Sequence, residues 1–423
     1  MTGIIKNKIN LLIITAILTF AVLFLLSGCG NKVQYDMMVE GNLYLDGSPV
    51  NIYIRNDKIE KIKKVSGLSA GADKVIVAPG LIDNQVNGYK GYSFVDVGGE
   101  LTSEGIHTIT KAFWEAGVTS YMPTLPTNDH QVYLKNFKLL ARAKADPETL
   151  GSIPGFHLEG PYVSPIDGYR GAHPLIHVRE PNWDEFMELY DASEKNILQV
   201  TLAPEVKGAM EFITKCREMG IVVGLGHHNG SAAHITEAAE KGAAISTHLG
   251  NGMANTINRH INPLWPQLAE ERLTASIICD GYHLQPEQIK VFYKAKGPDK
   301  IIITSDVSPL GGLTPGYYLN VIGDTLELKA EGVVVYPKQN VLSGSGKLQP
   351  QMIGYVMKVT GCDLATAIQM ASTNIARLYG LKDRGEIKPG MRADLILFTM
   401  DDFQFNLKKT IVAGRTVYEQ KNN

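Results

Sequence analysis

The sequence predicts an α/β fold: a (β/α)8 TIM-like barrel with a small β domain formed from both chain ends. Three observations lead there. Eight short apolar runs alternate with helical patterns through the middle of the chain. Both ends read as strands broken by turn residues. Acidic and imidazole residues stand at or just past the ends of four of the runs. Parallel strands buried on both faces appear as continuous apolar runs, and each needs a crossover helix before the next.

The N-terminus is read apart from the fold. Lys6 and Lys8 precede an apolar run from Leu11 to about Leu26, and Leu26-Ser27-Gly28-Cys29 follows. A basic start, a short apolar region and small residues before a cleavage point make a secretory signal, residues 1–28. Its end resembles a bacterial lipobox, so Cys29 is expected to carry lipid as the mature N-terminus. The run is short for an uncleaved membrane anchor. The expected location is therefore the cell envelope, lipid-anchored through Cys29 and facing outside the cytoplasm.

Residues 29–78 are expected to give the first part of the β domain. Val50–Ile54 alternates after the Asp46-Gly47 turn, and Asn56-Asp57 punctuates the next pair. Residues 79–383 form the expected barrel. Its runs are Val75–Val86, Ser120–Leu125, Ile153–His157, Leu198–Leu202, Ile221–Gly226, Ala244–Leu249, Ala275–Cys279 and Ile301–Ser305. Between them lie helical patterns at Ser103–Ala116, Tyr133–Ala145, Asp184–Ala192, Val206–Met219 and Ser231–Lys241. Residues 384–423 return to strands at Ala393–Phe398 and Lys408–Val412, with a turn at Gly414.

Composition limits the function classes. The 423 residues are 44% hydrophobic and 20% charged, enough for one large core and a satellite domain. A formal charge of −2 gives no general attraction to nucleic acid, and no nucleic-acid partner is expected. Cys216, Cys279 and Cys362 are too scattered for a disulfide framework.

Glu159, His227 and His248 follow the third, fifth and sixth runs, and Asp306 follows the eighth. In a parallel barrel these positions share the active face. One carboxylate and two imidazoles plus a water make the open arrangement of a catalytic zinc or iron site, so one divalent metal ion, Zn²⁺ or Fe²⁺, is expected. Asp306 is the candidate acid–base carboxylate. Each has a bland alternative: a structural histidine, a turn at Glu159-Gly160-Pro161, a helix N-cap at Asp306. The order and the common face favour one site. His227 is preferred over His228 because it follows its strand directly.

The chain resembles the N-acetylglucosamine-6-phosphate deacetylases of the amidohydrolase superfamily. The motifs that carry the resemblance are Pro79-Gly80-Leu81-Ile82-Asp83, Gln85-Val86-Asn87-Gly88, His157-Leu158-Glu159-Gly160-Pro161, Gly226-His227, Thr247-His248-Leu249 and Asp306. The resemblance covers roughly Val33 to the C-terminus. Gln85 and Asn87 match the single-metal branch, where other members carry His-x-His. The resemblance implies substrate contacts at Gln85, Asn87, Ala172, His173, Asn251, Gly252, Arg259 and His283. It gives His283 a catalytic part in polarising the scissile carbonyl, and it implies a homodimer in which Arg259 reaches the neighbouring subunit's substrate.

The resemblance also implies the reaction: hydrolysis of the acetamide of an N-acetylhexosamine, N-acetylglucosamine 6-phosphate or a related amino sugar, releasing acetate. The surroundings of the phosphate pocket depart from the family. Gly250 stands where a bulky residue is usual, Gly252 replaces Ala, and Arg259-His260-Ile261-Asn262 lacks the Glu-Pro-Gly that usually follows the arginine. Sugar phosphates are cytosolic metabolites, so the export segment leaves the substrate's decoration open. The alternatives are another amidohydrolase, acting on N-acyl-amino acids or cyclic amides, or a catalytically silent glycan-binding lipoprotein.

Overall fold

The computed structural model describes residues 34–72, 74–95, 99–320 and 322–421. The expected signal peptide and Cys29 lie outside the described residues. No helix among the described residues is long and apolar enough to cross a membrane.

The chain begins with β1 (Met37–Leu43), β2 (Pro49–Arg55), β3 (Lys58–Lys64) and β4 (Ile76–Pro79). The barrel opens with β5 (Leu81–Val86), followed by a small hairpin of β6 (Gly88–Tyr89) and β7 (Tyr92–Ser93). It continues through β8 (Val118–Pro126), β9 (Phe156–Glu159), β10 (Ile197–Leu202), β11 (Val222–Leu225), β12 (Ala243–Ser246), β13 (Thr274–Ile277) and β14 (Ile301–Ile303). An antiparallel appendage follows: β15 (Gly316–Leu319), β16 (Thr325–Leu328), β17 (Val333–Tyr336) and β18 (Val341–Ser345). The chain ends in β19 (Leu395–Asp401), β20 (Gln404–Val412) and β21 (Arg415–Glu419).

The two chain ends share one sheet, in the order β21-β20-β19-β4-β1-β2-β3. β19 pairs antiparallel with β4 and thereby joins the C-terminal strands to the N-terminal ones. The expected first barrel run, Val75–Val86, is in fact two strands. Ile76–Pro79 belongs to this flanking sheet, and Leu81–Val86 belongs to the barrel. The break falls at Gly80, where a Cβ would lie 2.1 Å from Thr119 Oγ1, so a side chain has no room.

The barrel strands run in the order β14-β13-β12-β11-β10-β9-β8-β5. Their inward and outward side chains are almost all buried, as both faces are covered. The closing seam between β5 and β14 has a single backbone bridge, Val86 with Val307. Side chains complete it. Asp83 Oδ1 accepts from Thr304 Oγ1 at 2.9 Å and from Ser305 N at 3.1 Å. Gln349 Nε2 donates to the carbonyls of Ile82 and Ile303, both at 2.7 Å. Burial pushes the Asp83 carboxyl up to about 6, against these hydrogen bonds.

Helix starts are set by polar caps. The side chain of Thr102 accepts from Gly105 N, Asp129 from Gln131 N, Asn182 from Glu185 N and Ser231 from His234 N. Phe113, Tyr121, Tyr133, Phe137 and Phe156 are fully buried; the Phe113 and Tyr121 ring centroids lie 5.0 Å apart, and Phe137 meets Tyr133 at 6.3 Å and Phe156 at 5.9 Å.

The appendage between β14 and the helix Gln349–Thr360 is absent from the sequence reading. Its strands are short, and its apolar set is small: Leu310, Leu326, Leu328, Val334 and Tyr336. It is bonded to the barrel mouth. Ser308 N donates to Ser345 O at 2.7 Å, and Ser345 N donates to Asp306 O at 2.9 Å.

Candidate active site

Each metal-type residue reaches the barrel mouth through a local change of backbone direction. β9 ends on Glu159, and Gly160 turns away with φ +88°. His227, His248 and Asp306 each adopt positive φ, at 52°, 32° and 47°, just after β11, β12 and β14. Non-glycine residues enter this region at a cost of about 1–3 kcal/mol and do so chiefly at functional sites. Here the turns aim the two imidazoles at Glu159 and bring Asp306 into the same cavity.

Ligand atoms of Glu159, His227 and His248 all lie within 4.8 Å of one another, and all three residues are buried. Glu159 Oε1 is 2.9 Å from His248 Nε2 and 3.6 Å from His227 Nε2. Gln85 Nε2 donates to the same oxygen at 2.8 Å. Burial opposes ionisation of Glu159, but the two imidazoles outweigh it and hold the carboxyl well below its usual range. His248 Nδ1 is buried without a partner. His227 Nδ1 lies 3.3 Å from the Tyr169 carbonyl, the kind of outer contact that orients a metal-binding imidazole. One carboxylate and two imidazoles converging in this way fit a single divalent cation.

Asp306 lies beside this cluster in the same cavity, of about 760 Å³. Its Oδ1 accepts from Asn87 Nδ2 at 2.7 Å. Burial, then the charge of Glu159, pushes its carboxyl up to about 7. A dication held by the three neighbours would draw it back down. His283 lines the same cavity. Asp280 Oδ2 holds its Nδ1 at 2.7 Å, and Asp280 Oδ1 accepts the backbone N–H groups of Tyr282 and His283, both at 2.9 Å. This leaves Nε2 as the ring nitrogen available to a ligand.

Residues 76–417 match the amidohydrolase family. The N-acetylglucosamine-6-phosphate deacetylase of Bos taurus is 30% identical over 402 residues, covering 92% of this chain and 93% of its own. That of Caenorhabditis elegans is 31% identical over 394 residues, covering 87% and 90%. The chain belongs to the amidohydrolase family, among the N-acetylglucosamine-6-phosphate deacetylases. Among solved structures, the Mycobacterium smegmatis deacetylase, as a point mutant in complex with N-acetyl-D-glucosamine-6-phosphate, superposes with a TM-score of 0.80. It is 26% identical, and the match covers 90% of this chain and 99% of that one.

The other expected family contacts fall into two groups. Asn87, Ala172, His173 and Asn251 line the cavity with Glu159, His227, His248, His283 and Asp306. His173 Nδ1 accepts from Thr127 N at 3.3 Å, so its proton sits on Nε2, and its ring meets that of His227 edge-on at 4.2 Å. Asn251 Nδ2 and Asn87 Oδ1 are buried with no partner, and a bound polar molecule would satisfy them.

The second group lies elsewhere. Gln85 is not on the cavity wall; it positions Glu159. Gly252 is not on the wall either. It packs behind the histidines, where a Cβ would lie 2.6 Å from His227 N and 3.0 Å from His248 Cε1. Arg259 is exposed and lines no part of this chain's cavity. His228 turns away from the cluster, its Nδ1 accepting from Gly230 N at 3.1 Å. His157 sits in the barrel interior, held by Thr201 Oγ1 at 2.8 Å and Thr124 Oγ1 at 3.3 Å.

Sequence reasoning missed Asp280, although its spacing to His283 was the available signal. It also missed Leu342, Ser343 and Gly344, which bring β18 into the wall. No sequence signal marks those three, because the appendage was not recognised.

Proposed function

We propose that this chain hydrolyses the acetamide of N-acetylglucosamine 6-phosphate or a closely related amino sugar, releasing acetate. The observation that carries this reading is the convergence of Asp306, His283 and the cluster of Glu159, His227 and His248 in one cavity. Its volume of about 760 Å³ suits a small-molecule ligand.

Glu159, His227 and His248 would hold a divalent ion, Zn²⁺ or Fe²⁺. When bound, it supplies Lewis acidity and lowers the pKa of water to about 7. Asp306 takes a proton from the attacking water at a carboxylate oxygen and returns it to the leaving amine nitrogen. Asn87 keeps that carboxylate in place through its 2.7 Å bond. His283 presents Nε2 to the scissile carbonyl, with Nδ1 fixed by Asp280. Asn251 and His173 offer polar atoms to the sugar.

The exposed Arg259, with exposed Ile261 and with Trp265, whose Nε1 donates to the Arg259 carbonyl at 3.1 Å, supports a homodimer that covers this surface. The run Leu11–Leu26 and Leu26-Ser27-Gly28-Cys29 support lipid anchoring at Cys29 and a position outside the cytoplasm. Light scattering tests the dimer, and loss of fatty-acid labelling in Cys29→Ala tests the anchor.

The activity is tested by acetate release from N-acetylhexosamines with and without a 6-phosphate, using protein loaded with Zn²⁺ or Fe²⁺. Turnover of at least one sugar is expected. Failure on all of them refutes the reading.

A further inference from the structure

The turn Asp280-Gly281-Tyr282-His283 follows β13 and precedes the helix Pro286–Lys296. It is shaped from within. Asp280 Oδ1 accepts the N–H groups of Tyr282 and His283, Asp280 Oδ2 holds His283 Nδ1, and Gly281 takes φ +86°. These bonds make the turn one unit, but they do not fix that unit against the barrel mouth. His283 must bring Nε2 within hydrogen-bond reach of a substrate carbonyl. Its placement relative to Asp306 therefore matters as much as its tautomer.

Among the described residues, the turn receives one hydrogen bond from outside itself. Lys347 Nζ donates to the Asp280 carbonyl at 2.9 Å. The same ammonium lies 4.6 Å from the centroid of the Tyr282 ring. Charged donors make the stronger hydrogen bonds, and an ammonium over an aromatic face adds a second attraction. Lys347 is half-buried and forms no ion pair among the described residues, so its charge is directed at the turn.

The lysine stands on a fixed base. Its backbone N–H donates to Ser345 Oγ at 3.0 Å, and the N–H of Gly346 donates to the Gly332 carbonyl at 2.9 Å. On its other side Leu348 is buried, and the Leu348 N–H donates to Gln351 Oε1 at 2.9 Å. The helix that begins there carries Gln349, which closes the β5–β14 seam. Lys347 thus ties the turn to the segment that closes the barrel.

We propose that Lys347 is a positioning residue, holding the Asp280–His283 turn against the barrel so that His283 Nε2 stays aligned with Asp306 and the cluster of Glu159, His227 and His248. The inference rests on the amino-sugar deacetylase reading above. The role is one of place and not of field, because a dication bound by that cluster would dominate the charge of the cavity. Arginine offers both an N–H donor and a cation that stacks on aromatic rings, so it should serve where methionine should not.

The test compares full-length metal-loaded wild type, Lys347→Met, Lys347→Arg, His283→Gln and the double variant of Lys347→Met with His283→Gln, with bound metal measured in each. Lys347→Met keeps the long stem, and Lys347→Gln takes its place if that variant does not fold. With the N-acetylhexosamine that wild type turns over, Lys347→Met should lower kcat for acetate release by about tenfold to a hundredfold, the effect of a displacement of about 1 Å. KM should move by less than about threefold, as for a contact realised chiefly in the transition state. Lys347→Arg should recover most of kcat. In the His283→Gln background the same lysine change should cost less than about twofold, because both act through one group. Full additivity, an unchanged kcat, a loss confined to KM, an equal loss in Lys347→Arg, or loss of bound metal would overturn the proposal.

Amide hydrogen exchange reads the turn without turnover. The peptide containing Tyr282 and His283 should exchange about tenfold faster or more in Lys347→Met, while the peptide containing Gln349 keeps its wild-type rate. A rise in both shows general loosening and overturns the proposal. If wild type hydrolyses no sugar, the deacetylase reading fails and exchange alone decides this one: faster exchange confined to the turn supports it, and unchanged exchange overturns it.

Discussion

Replacing Gln349 with leucine tests how the barrel is closed. Gln349 is fully buried, and its amide nitrogen bonds the carbonyls of Ile82 and Ile303 on opposite sides of the β5–β14 seam. Leucine has nearly the same volume, so no cavity opens. Two buried carbonyls lose their donor, each at a cost of about 1–3 kcal/mol. One relief runs the other way: Gln349 Oε1 is itself buried without a partner, and leucine removes that penalty. The balance is roughly one unpaired acceptor, a destabilisation of about 1–3 kcal/mol. Urea titration followed by tryptophan fluorescence and by residual activity reads it as a lower midpoint. Gln349→Glu should cost more, because an acceptor would then face two acceptors. A leucine variant as stable as wild type would refute the claim that this side chain closes the seam.

The remaining predictions concern the site. Asp306→Asn should lower acetate release by about 10²–10⁴-fold while bound metal, measured by elemental analysis, stays near one equivalent. Gly252→Ala should weaken metal binding by about 10–100-fold in competition with a chelator, because the new Cβ presses on the backbone of His227. Asp280→Ala should lower kcat/KM by about tenfold or more without loss of metal, since His283 loses its anchor. Burial raises the Asp280 carboxyl, but its bonds to His283 outweigh this and hold it far below the usual carboxylate value. The stability it contributes is then present above about pH 4 and lost as pH falls toward the folded value. The stability gap between wild type and Asp280→Asn, read by urea titration, should therefore shrink below about pH 4.

Much of the barrel was legible because its strands bury both faces and so stand out as apolar runs. The run Ile221–Gly226 became β11, and the run Ile301–Ser305 became β14, which stops at Ile303. Residues placed at run ends, such as Glu159 and His248, meet at the mouth because parallel strands all present their C-terminal ends there. What stayed hidden depends on contacts between distant segments. Gln85 and Gly252 have motif positions but act behind the site, on Glu159 and His227, which only three-dimensional packing reveals. The split at Gly80 was hidden because Ile76–Pro79 and the following Leu81-Ile82 read as one apolar stretch across it. The appendage escaped because Tyr317-Tyr318-Leu319 and Val333-Val334-Val335 are short and half-exposed, with no long periodic pattern to read.

The bond from Ser345 N to Asp306 O has a mechanical meaning. The strand that forms part of the ligand cavity is tied to the backbone of the residue proposed to move the proton. Gly344 presses on the same carbonyl so closely that a Cβ there would come within 2.8 Å of it. Any tightening of β17 and β18 around a ligand is thus transmitted to the Asp306 peptide. A ligand that fails to engage the appendage leaves Asp306 in a less constrained position. Discrimination between substrates is then felt in turnover as well as in affinity, and exchanging the appendage between related chains would alter both together.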